Sequence, residues 1–335
     1  MNNIGIAGFG KMGRDIFNLF LANPDISHIT VFCRHDIGAH TEKMQKEFAK
    51  SLKRKKLTQE QFNEKSENTR FTENIADLSE CDIIIESITE NLSAKQEFFR
   101  QLYNIAKTDC ILATNTSSLS VSDIFADCPN PERCMGMHFF YPVKFSEFVE
   151  LNVLSKTGTE QIEKIKDFLQ ISGKKSIVFS GCYHIFLNQI INYAISLGIS
   201  LYNENEMSMK QMQEIFSELF PMHGIFGLID GIGLNLLANN KMKNCCKRLE
   251  PVMDYGTKQM KQWLDDGCSG EPNRFFDTFS DKPYTEISDS TKQSLIEYVK
   301  TEIERRTAEI SAEYGGEPQL LIDAVKSTLG FAENI

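Results

Sequence analysis

"NIGIAGFGKMG", residues 3–13, is the stretch that decides the fold. It joins a strand-like apolar run to a segment of helical character through the pattern G-x-G-x-x-G. Such a turn lets backbone N–H groups and a helix N-terminus face a pyrophosphate, so it predicts a dinucleotide site. A tight glycine turn without a ligand is the alternative. The residues expected at the cofactor are Gly8, Phe9, Gly10, Met12 and Gly13.

The end of the second strand bears on which dinucleotide binds. An NAD site usually has Asp or Glu there, whose carboxylate binds both ribose hydroxyls. This strand instead ends "TVFCR". Cys33 is a poor acceptor, whereas Arg34 can pair with a 2′-phosphate through its forked donors. We therefore predict a preference for NADP over NAD, the alternative being a solvated Arg34 and weak NAD binding.

Strand-like runs recur in the first half of the chain, with helical segments between several of them. They are "IGIAGF", "HITVFC", "CDIIIES", "CILATN", "RCMGMHFF" and "KSIVFS". The continuous apolar character of residues 83–85 is typical of a strand that is buried on both faces. We predict an α/β fold: an N-terminal Rossmann-type doubly wound parallel sheet followed by an all-α C-terminal domain.

The pattern changes near residue 180. We expect residues 1–180 to form the dinucleotide-binding domain and residues 181–335 a helical domain with an extended C-terminal tail. Residues 186–202 are apolar nearly all round, which indicates a buried helix, and Ser208 with Gln211 is typical of a capping box. Residues 265–285 predict a loop. Two further helices are indicated by the apolar positions Leu295, Val299, Ile303, Ile310, Leu321, Val325 and Leu329.

Composition excludes several classes of protein. The 335 residues allow two domains, and the formal net charge of −10 argues against a nucleic-acid partner. No apolar run approaches the ~20 residues of a membrane helix. Nine cysteines without C-x-x-C spacing indicate reduced thiols. We expect a cytoplasmic protein without a metal site, because the N-terminus lacks a signal-peptide pattern and the histidines are dispersed.

"MGMHFFYPVKFSEFVEL", residues 135–151, places His138 and Glu150 in one apolar run. An imidazole with a pKa near neutrality can take a hydroxyl proton, and a carboxylate on its far nitrogen would fix the tautomer. From this stretch alone, a core histidine that is satisfied by a backbone carbonyl is the alternative.

Several motifs together resemble the 3-hydroxyacyl-CoA dehydrogenase family over about residues 3–240. Besides the glycine turn they are "KKLTQEQF", "CDIIIESITENLSAKQEFFRQL", "ATNTSSLSVSDI", "ERCMGMHFFYPVKFSEFVEL" and "FPMHGIFGLIDGIGLN", in the family's order and spacing. The resemblance implies that His138 is the general base of alcohol oxidation and Glu150 its orienting partner. It implies that Ser117 bonds the substrate oxygen and the cofactor, a turn hydroxyl being the alternative. It also implies that Asn188 contacts the reacting thioester, the alternative being a polar stripe that Asn188 forms with Asn192.

The resemblance also places residues around the cofactor and the substrate carrier. Glu90 and Lys95 match positions near the nicotinamide ribose, although this spacing is also ordinary at a helix start, and Asn115 is expected at the cofactor. The run "KRKK", residues 53–56, could meet the phosphates of CoA, with Lys56 the best candidate. A solvated helix face is the alternative.

Three departures from the family pattern lie around the substrate. Tyr141 stands where the family has an asparagine, and "YHIFLNQ" replaces "PGFIVNR" around Asn188. The residues after about 250 follow no family pattern. An unusual acyl group or an acyl-carrier protein in place of CoA is therefore a second possibility.

The motifs and the resemblance together predict an oxidoreductase that passes hydride between NAD or NADP and a hydroxyacyl thioester. The family's second domain serves substrate binding and dimerisation, so the resemblance implies these roles for residues 181–335. The apolar helix of residues 186–202 is compatible with the homodimer that we expect. One alternative is a dehydrogenase of a free β-hydroxyacid. Another is a non-catalytic homologue that binds a dinucleotide, since fold does not fix function.

Overall fold

Residues 1–23, 25–181, 185–220, 224–239 and 250–329 are described by the structure, a computed structural model. The chain divides into two compact units, Met1–Tyr183 and His184–Ile335. The division falls close to residue 180, where the sequence pattern also changes.

A single sheet forms the centre of the first unit. Its strand order is β3-β2-β1-β4-β5-β6-β7-β8, and every neighbouring pair is parallel except β6 and β7. The first six strands have the order of a doubly wound dinucleotide fold. The strands are β1 (Asn3–Ala7), β2 (His28–Phe32), β3 (Thr69–Thr72), β4 (Ile83–Glu86), β5 (Ile111–Thr114), β6 (Cys134–Phe139), β7 (Phe148–Val153) and β8 (Lys175–Ser180).

Helices connect these strands and cover both faces of the sheet. Two buried clusters, one on either side, contain the apolar side chains of the central strands. The helices are α1 (Lys11–Leu21), α2 (Ile37–Lys53), α3 (Gln59–Asn68), α4 (Leu92–Ile105), α5 (Val121–Ile124) and α6 (Thr159–Ile171), with 3-10 turns at Ile75–Leu78 and Pro131–Arg133. The predicted fold class is confirmed.

Two strands of this sheet were not predicted from the sequence. β3 is four residues long and pairs with β2, while its sequence, Thr-Arg-Phe-Thr, has a single apolar side chain. β7 is wholly buried, yet Glu150 and Asn152 interrupt its apolar run. β7 is antiparallel to β6 because the connection between them, residues 140–147, is too short for a crossover. The sheet is therefore mostly parallel.

The second unit is helical in its described residues. α7 is buried along most of its length, and the capping box of Ser208 and Gln211 opens α8 as predicted. Residues 265–285 have little regular structure apart from α12. The helices are α7 (Phe186–Glu204), α8 (Met209–Phe216), α9 (Gly224–Ile232), α10 (Leu234–Ala238), α11 (Glu250–Asp265), α12 (Phe275–Thr278), α13 (Asp289–Tyr314) and α14 (Pro318–Leu329).

The buried face of α13 differs by one position from the prediction. Ile296, rather than Leu295, is buried together with Val299, Ile303 and Ile310. A 3.6-residue period brings Ile296 onto the face of the other three. None of the helices in the described part of the chain is both long and apolar enough to cross a membrane.

Candidate dinucleotide site and catalytic centre

The glycine turn after β1 is shaped by close backbone packing. Gly8 has φ +96, and a Cβ there would lie 2.4 Å from the carbonyl oxygen of Ser87, which follows β4. A Cβ on Gly13 would lie 2.1 Å from the carbonyl oxygen of Gly8. Both positions therefore need glycine for reasons inside the chain, and together they hold α1 against the loops that follow β1 and β4.

Gly10 needs glycine for a different reason. Its φ of −72 suits any residue, and a Cβ there would meet nothing within 4 Å. Because neither conformation nor internal packing demands glycine, the open space beside Gly10 suits the close approach of a ligand. No side chain caps α1, so the N–H groups of its first turn face the same space. This cradle fits the pyrophosphate of a dinucleotide.

Phe9 and Met12, two residues of the same turn, serve a packing role. The Phe9 ring lies 5.5 Å from that of Phe17 and 4.9 Å from that of Phe71, both in edge-to-face geometry. Met12 packs half-buried against the same core cluster. The structure thus gives these two side chains to the core, and the turn presents its backbone to the ligand.

At the end of β2 the structure leaves Arg34 exposed. Cys33 beside it is buried, and its backbone N–H donates a hydrogen bond to the carbonyl oxygen of Thr72. Burial is the largest cause that raises the pKa of the Cys33 thiol, and the negative charges of Glu73 and Asp36 raise it further. Two carboxylates therefore lie near this strand end, where a ribose would be held, together with the exposed guanidinium.

The carboxylate of Glu90 accepts several hydrogen bonds from the loop that follows β5. Its Oε1 accepts from Thr116 Oγ1 at 2.7 Å, and from the backbone N–H groups of Ser117 and Ser118 at 2.9 Å each. Ser117 Oγ lies 3.4 Å from the same oxygen. Although burial raises the pKa of Glu90, the Thr116 hydrogen bond and the Lys95 charge outweigh it and lower that pKa to about 2. The carboxylate is thus ionised and fixed.

Lys95 lies beneath Glu90 and is 1% exposed. Its Nζ is 2.6 Å from Oε1 of Glu86 and 3.2 Å from Oε2 of Glu90. Glu86, at the end of β4, also accepts from Thr114 Oγ1 at 2.6 Å and from the backbone of Ile88 at 2.7 Å. Lys95 therefore acts through Glu90. Sequence reasoning missed Glu86, whose only signal was an acidic residue closing the apolar run "DIII".

His138 lies near the carboxyl end of β6, 6% exposed, with its ring edge-to-face on Phe140 at 4.5 Å. Burial lowers the pKa of His138 to about 4, opposed by the charge of Glu90, so its imidazole is neutral near pH 7. Asn115 ties this strand to β5, because its Oδ1 accepts from the N–H of Phe139 at 2.8 Å.

Glu150 lies directly across from His138 in the antiparallel pair of β6 and β7, and it is fully buried. Side chains at such a position share one face of the sheet. Glu150 Oε1 accepts from Asn152 Nδ2 at 3.2 Å, and the buried Nδ1 of His138 has no hydrogen-bond partner. The structure thus brings the two side chains together, although that nitrogen is not bonded to the carboxylate.

Tyr141 lies in the loop after β6 and is 54% exposed. The Nζ of Lys11 lies 3.6 Å from the centre of its ring, which is a cation–π contact. Asp15 accepts from the N–H of Val143 at 3.2 Å. These two contacts join α1, and with it the glycine turn, to the loop after β6.

Lys56 and Asn188 are the two remaining predicted residues. Lys56 is exposed just after α2, in the basic run of residues 53–56. Asn188 is half-buried in the first turn of α7, in the second unit. No group of three or more His, Cys, Asp or Glu side chains in the described ranges could hold a metal ion.

The sheet order, the glycine turn and the uncapped α1 define a Rossmann-type dinucleotide-binding protein. Over residues 3–182 the chain matches the family model described as "3-hydroxyacyl-CoA dehydrogenase, NAD binding domain". The chain therefore belongs to the 3-hydroxyacyl-CoA dehydrogenase family, as the motifs predicted, and the matched domain is one that binds NAD.

Known proteins show the same relationship along more of the chain. Hydroxyacyl-coenzyme A dehydrogenase of Rattus norvegicus mitochondria is 28% identical over 244 residues, which is 70% of this chain and 77% of that protein. 3-Hydroxybutyryl-CoA dehydrogenase of Clostridioides difficile is 26% identical over 246 residues, 70% of this chain and 84% of that protein. The chain spans only 33% of the Vibrio cholerae fatty acid oxidation complex subunit alpha, with 27% identity over 236 residues.

The fold is also that of solved members. FadB2 of M. tuberculosis matches with a TM-score of 0.69 and 24% identity, over 84% of this chain and 99% of that one. 3-Hydroxybutyryl-CoA dehydrogenase of Escherichia coli matches with a TM-score of 0.67 and 21% identity, over 86% and 63%. The similarity therefore extends past the dinucleotide-binding domain.

Proposed function

We propose that the protein interconverts a 3-hydroxyacyl thioester and its 3-keto form. The observation that carries this proposal is the neutral, buried imidazole of His138 in a chain of this family. His138 lies on β6, the next strand after the loop that contains Ser117. A bound nicotinamide accepts or supplies the hydride. Gly8, Gly10 and Gly13 form the cradle that holds its pyrophosphate.

His138 moves the proton in this proposal. Its Nδ1 is buried, so Nε2 is the nitrogen left to take the hydroxyl proton of the substrate. The imidazolium that results gains stability if Nδ1–H donates to a carboxylate, and Glu150 is the residue opposite. In the reverse direction Nε2 returns the proton to the alkoxide.

Other residues orient the reacting groups. Ser117 carries a hydroxyl beside the ionised Glu90 and can donate to the substrate oxygen. Glu90 is the acceptor for the nicotinamide ribose, with Lys95 holding it from below. Asn115 keeps β6 in register with the end of β5, and Asn188 is proposed to contact the thioester from the second unit.

Arg34 is proposed to admit NADP as well as NAD. A 2′-phosphate near Asp36 and Glu73 meets repulsion, which an exposed guanidinium can offset. Arg34→Ala should lower kcat/KM for NADPH by about tenfold or more and change that for NADH by less than about twofold. Equal losses of kcat/KM with both cofactors would show that Arg34 does not bind the 2′-phosphate.

CoA is the proposed carrier of the acyl group, with Lys56 as a contact for its phosphates. Lys56 and its three basic neighbours are all exposed. A KM that rises for the CoA thioester in Lys56→Ala, but not for a truncated thioester without phosphates, would support this contact. Activity with an acyl-carrier-protein thioester alone would transfer the proposal to that carrier.

The decisive experiment measures His138→Gln against a matched control, His28→Gln, at an exposed histidine of β2. Hydroxyacyl thioesters are offered with NAD and NADP, and ketoacyl thioesters with NADH and NADPH. His138→Gln should lower kcat by about 100-fold or more and spare cofactor affinity, because only proton transfer is lost. His28→Gln should match the wild type.

The same panel separates the alternatives. Activity on a free hydroxyacid without any thioester would favour the β-hydroxyacid dehydrogenase. Saturable dinucleotide binding with no turnover of any substrate would favour the non-catalytic homologue.

A homodimer stays a prediction, to be checked by light scattering. α7, expected to be compatible with dimerisation, is buried among the other helices of its own unit and leaves little apolar surface for a partner.

A further inference from the structure

Two cysteines lie close together at the amino end of β6. The Sγ atoms of Cys128 and Cys134 are 3.2 Å apart. Cys134 is fully buried as the first residue of the strand, and Cys128 is partly exposed in the loop after α5. His138 lies towards the other end of the same strand, so the thiol pair is separate from the proposed catalytic centre.

The surroundings of the pair shift the pKa values of the two thiols in opposite directions. The hydrogen bond that the thiols share lowers the pKa of Cys128 to about 6, and it raises that of Cys134, which keeps its proton. Cys134 Sγ also approaches the carbonyl oxygen of Asn130 at 3.8 Å. The guanidinium of Arg133, 3% exposed and with its Nε unpartnered, adds a buried positive charge beside the pair.

We propose that Cys128 and Cys134 form an oxidative modification site, at which a hydroperoxide joins the two sulfurs in a disulfide. The Cys128 thiolate attacks one peroxide oxygen, the O–O bond breaks, and the alcohol or water leaves with a proton. Cys134 then attacks the Cys128 sulfenic acid, an S–S bond forms, the S–O bond breaks, and water leaves with the Cys134 proton. Two thiols and one hydroperoxide thus give one disulfide, one alcohol and one water.

Position favours this second step. A disulfide needs the sulfurs at about 2.05 Å, so the pair must close by roughly 1 Å, which side-chain rotation can supply. The other described thiols lack this arrangement. Burial raises the pKa of Cys81 and of Cys110 to about 12, and it raises that of the partly exposed Cys268, so these three stay protonated.

The test uses the reduced full-length chain, treated with hydrogen peroxide at neutral pH, alkylated and digested with trypsin without reduction. Cleavage after Arg133 separates the two thiols, so a disulfide appears as peptide 108–133 linked to peptide 134–144. Cys110 shares the first peptide, and Cys110→Ser is therefore the matched control that should keep the link. Cys128→Ser should lose it.

Two further measurements keep the proposal falsifiable should a variant fail to fold. In the wild type, Cys128 should react about tenfold faster or more than Cys268, which has comparable exposure. In Cys134→Ser, Cys128 should instead gain one to three oxygen atoms. The proposal is wrong if the folded wild type gives no linked pair, if the link forms only in denaturant, or if Cys268 reacts as fast as Cys128.

Discussion

Replacing Lys95 by methionine tests the buried ion pair that supports the proposed site. Methionine keeps most of the side-chain volume and removes the charge. Glu86, which is 0% exposed, then loses its partner at 2.6 Å, and Glu90 loses one at 3.2 Å. Both carboxylates keep their other hydrogen-bond donors. The variant therefore isolates the contribution of the ammonium group.

Glu86 dominates the size of the effect. Removing one member of a buried ion pair costs about 3–5 kcal/mol, because an uncompensated charge stays inside the protein. Thr114 and the N–H of Ile88 continue to solvate that charge, so the loss should lie at the lower end of this range. A loss of about 3 kcal/mol lowers the folding equilibrium constant by roughly a hundredfold. Glu90 adds little, because it is partly exposed.

The assay is urea unfolding followed by circular dichroism at neutral pH, on Lys95→Met, Glu86→Gln and the double variant. The double variant should lose less stability than the sum of the single losses, since it carries no buried charge without a partner. Arg100→Met, on an exposed face of the same helix, is the control and should change stability by less than about 0.5 kcal/mol. A loss below about 1 kcal/mol at Lys95, or simple additivity, would refute this account.

Three further outcomes follow from the same geometry. Gly8→Ala should unfold or strongly destabilise the chain, whereas Gly10→Ala should fold with normal stability and lose NAD affinity, as measured by fluorescence titration. Because burial lowers the pKa of His138 to about 4, kcat/KM for alcohol oxidation should hold as the pH falls to about 5 and decline only as the imidazole gains a proton; a decline centred near pH 6.5 would contradict this. Tyr141→Phe should keep the contact with Lys11 and near-normal KM, and Tyr141→Leu should raise KM for both ligands in steady-state assays.

The sequence was most informative where function depends on a short local pattern. The glycine turn could be predicted because strand, glycines and helix start are contiguous, and close backbone packing leaves no other residue possible at Gly8 and Gly13. Six of the eight strands could be predicted, because burial on both faces of a sheet produces continuous apolar runs. The family motifs added His138 and Glu150, and their cross-strand register gives that pair a geometric basis.

Partners that meet only in the folded chain could not be predicted in this way. Nothing local in "IIIES" shows that Glu86 pairs with a lysine from the next helix, or that Glu90 reaches across to the loop after β5. Phe9 and Met12 illustrate a second limit of a local pattern. Their place in the motif suggested cofactor contact, but side-chain direction depends on tertiary packing, and both pack against the core.

Glu90 connects the features that local patterns did not reveal. Its charge opposes the effect of burial on His138, and its own ionisation depends on Thr116, Lys95 and the Ser117 loop. The basicity of the proposed catalytic imidazole is therefore set partly by a carboxylate that belongs to another strand connection. Lys95, Thr116 and His138 are buried, whereas Glu90 is partly exposed, and a change at Lys95 should reach His138 through Glu90 without any direct contact. A family motif can name the base, but the structure is needed to show what sets its pKa.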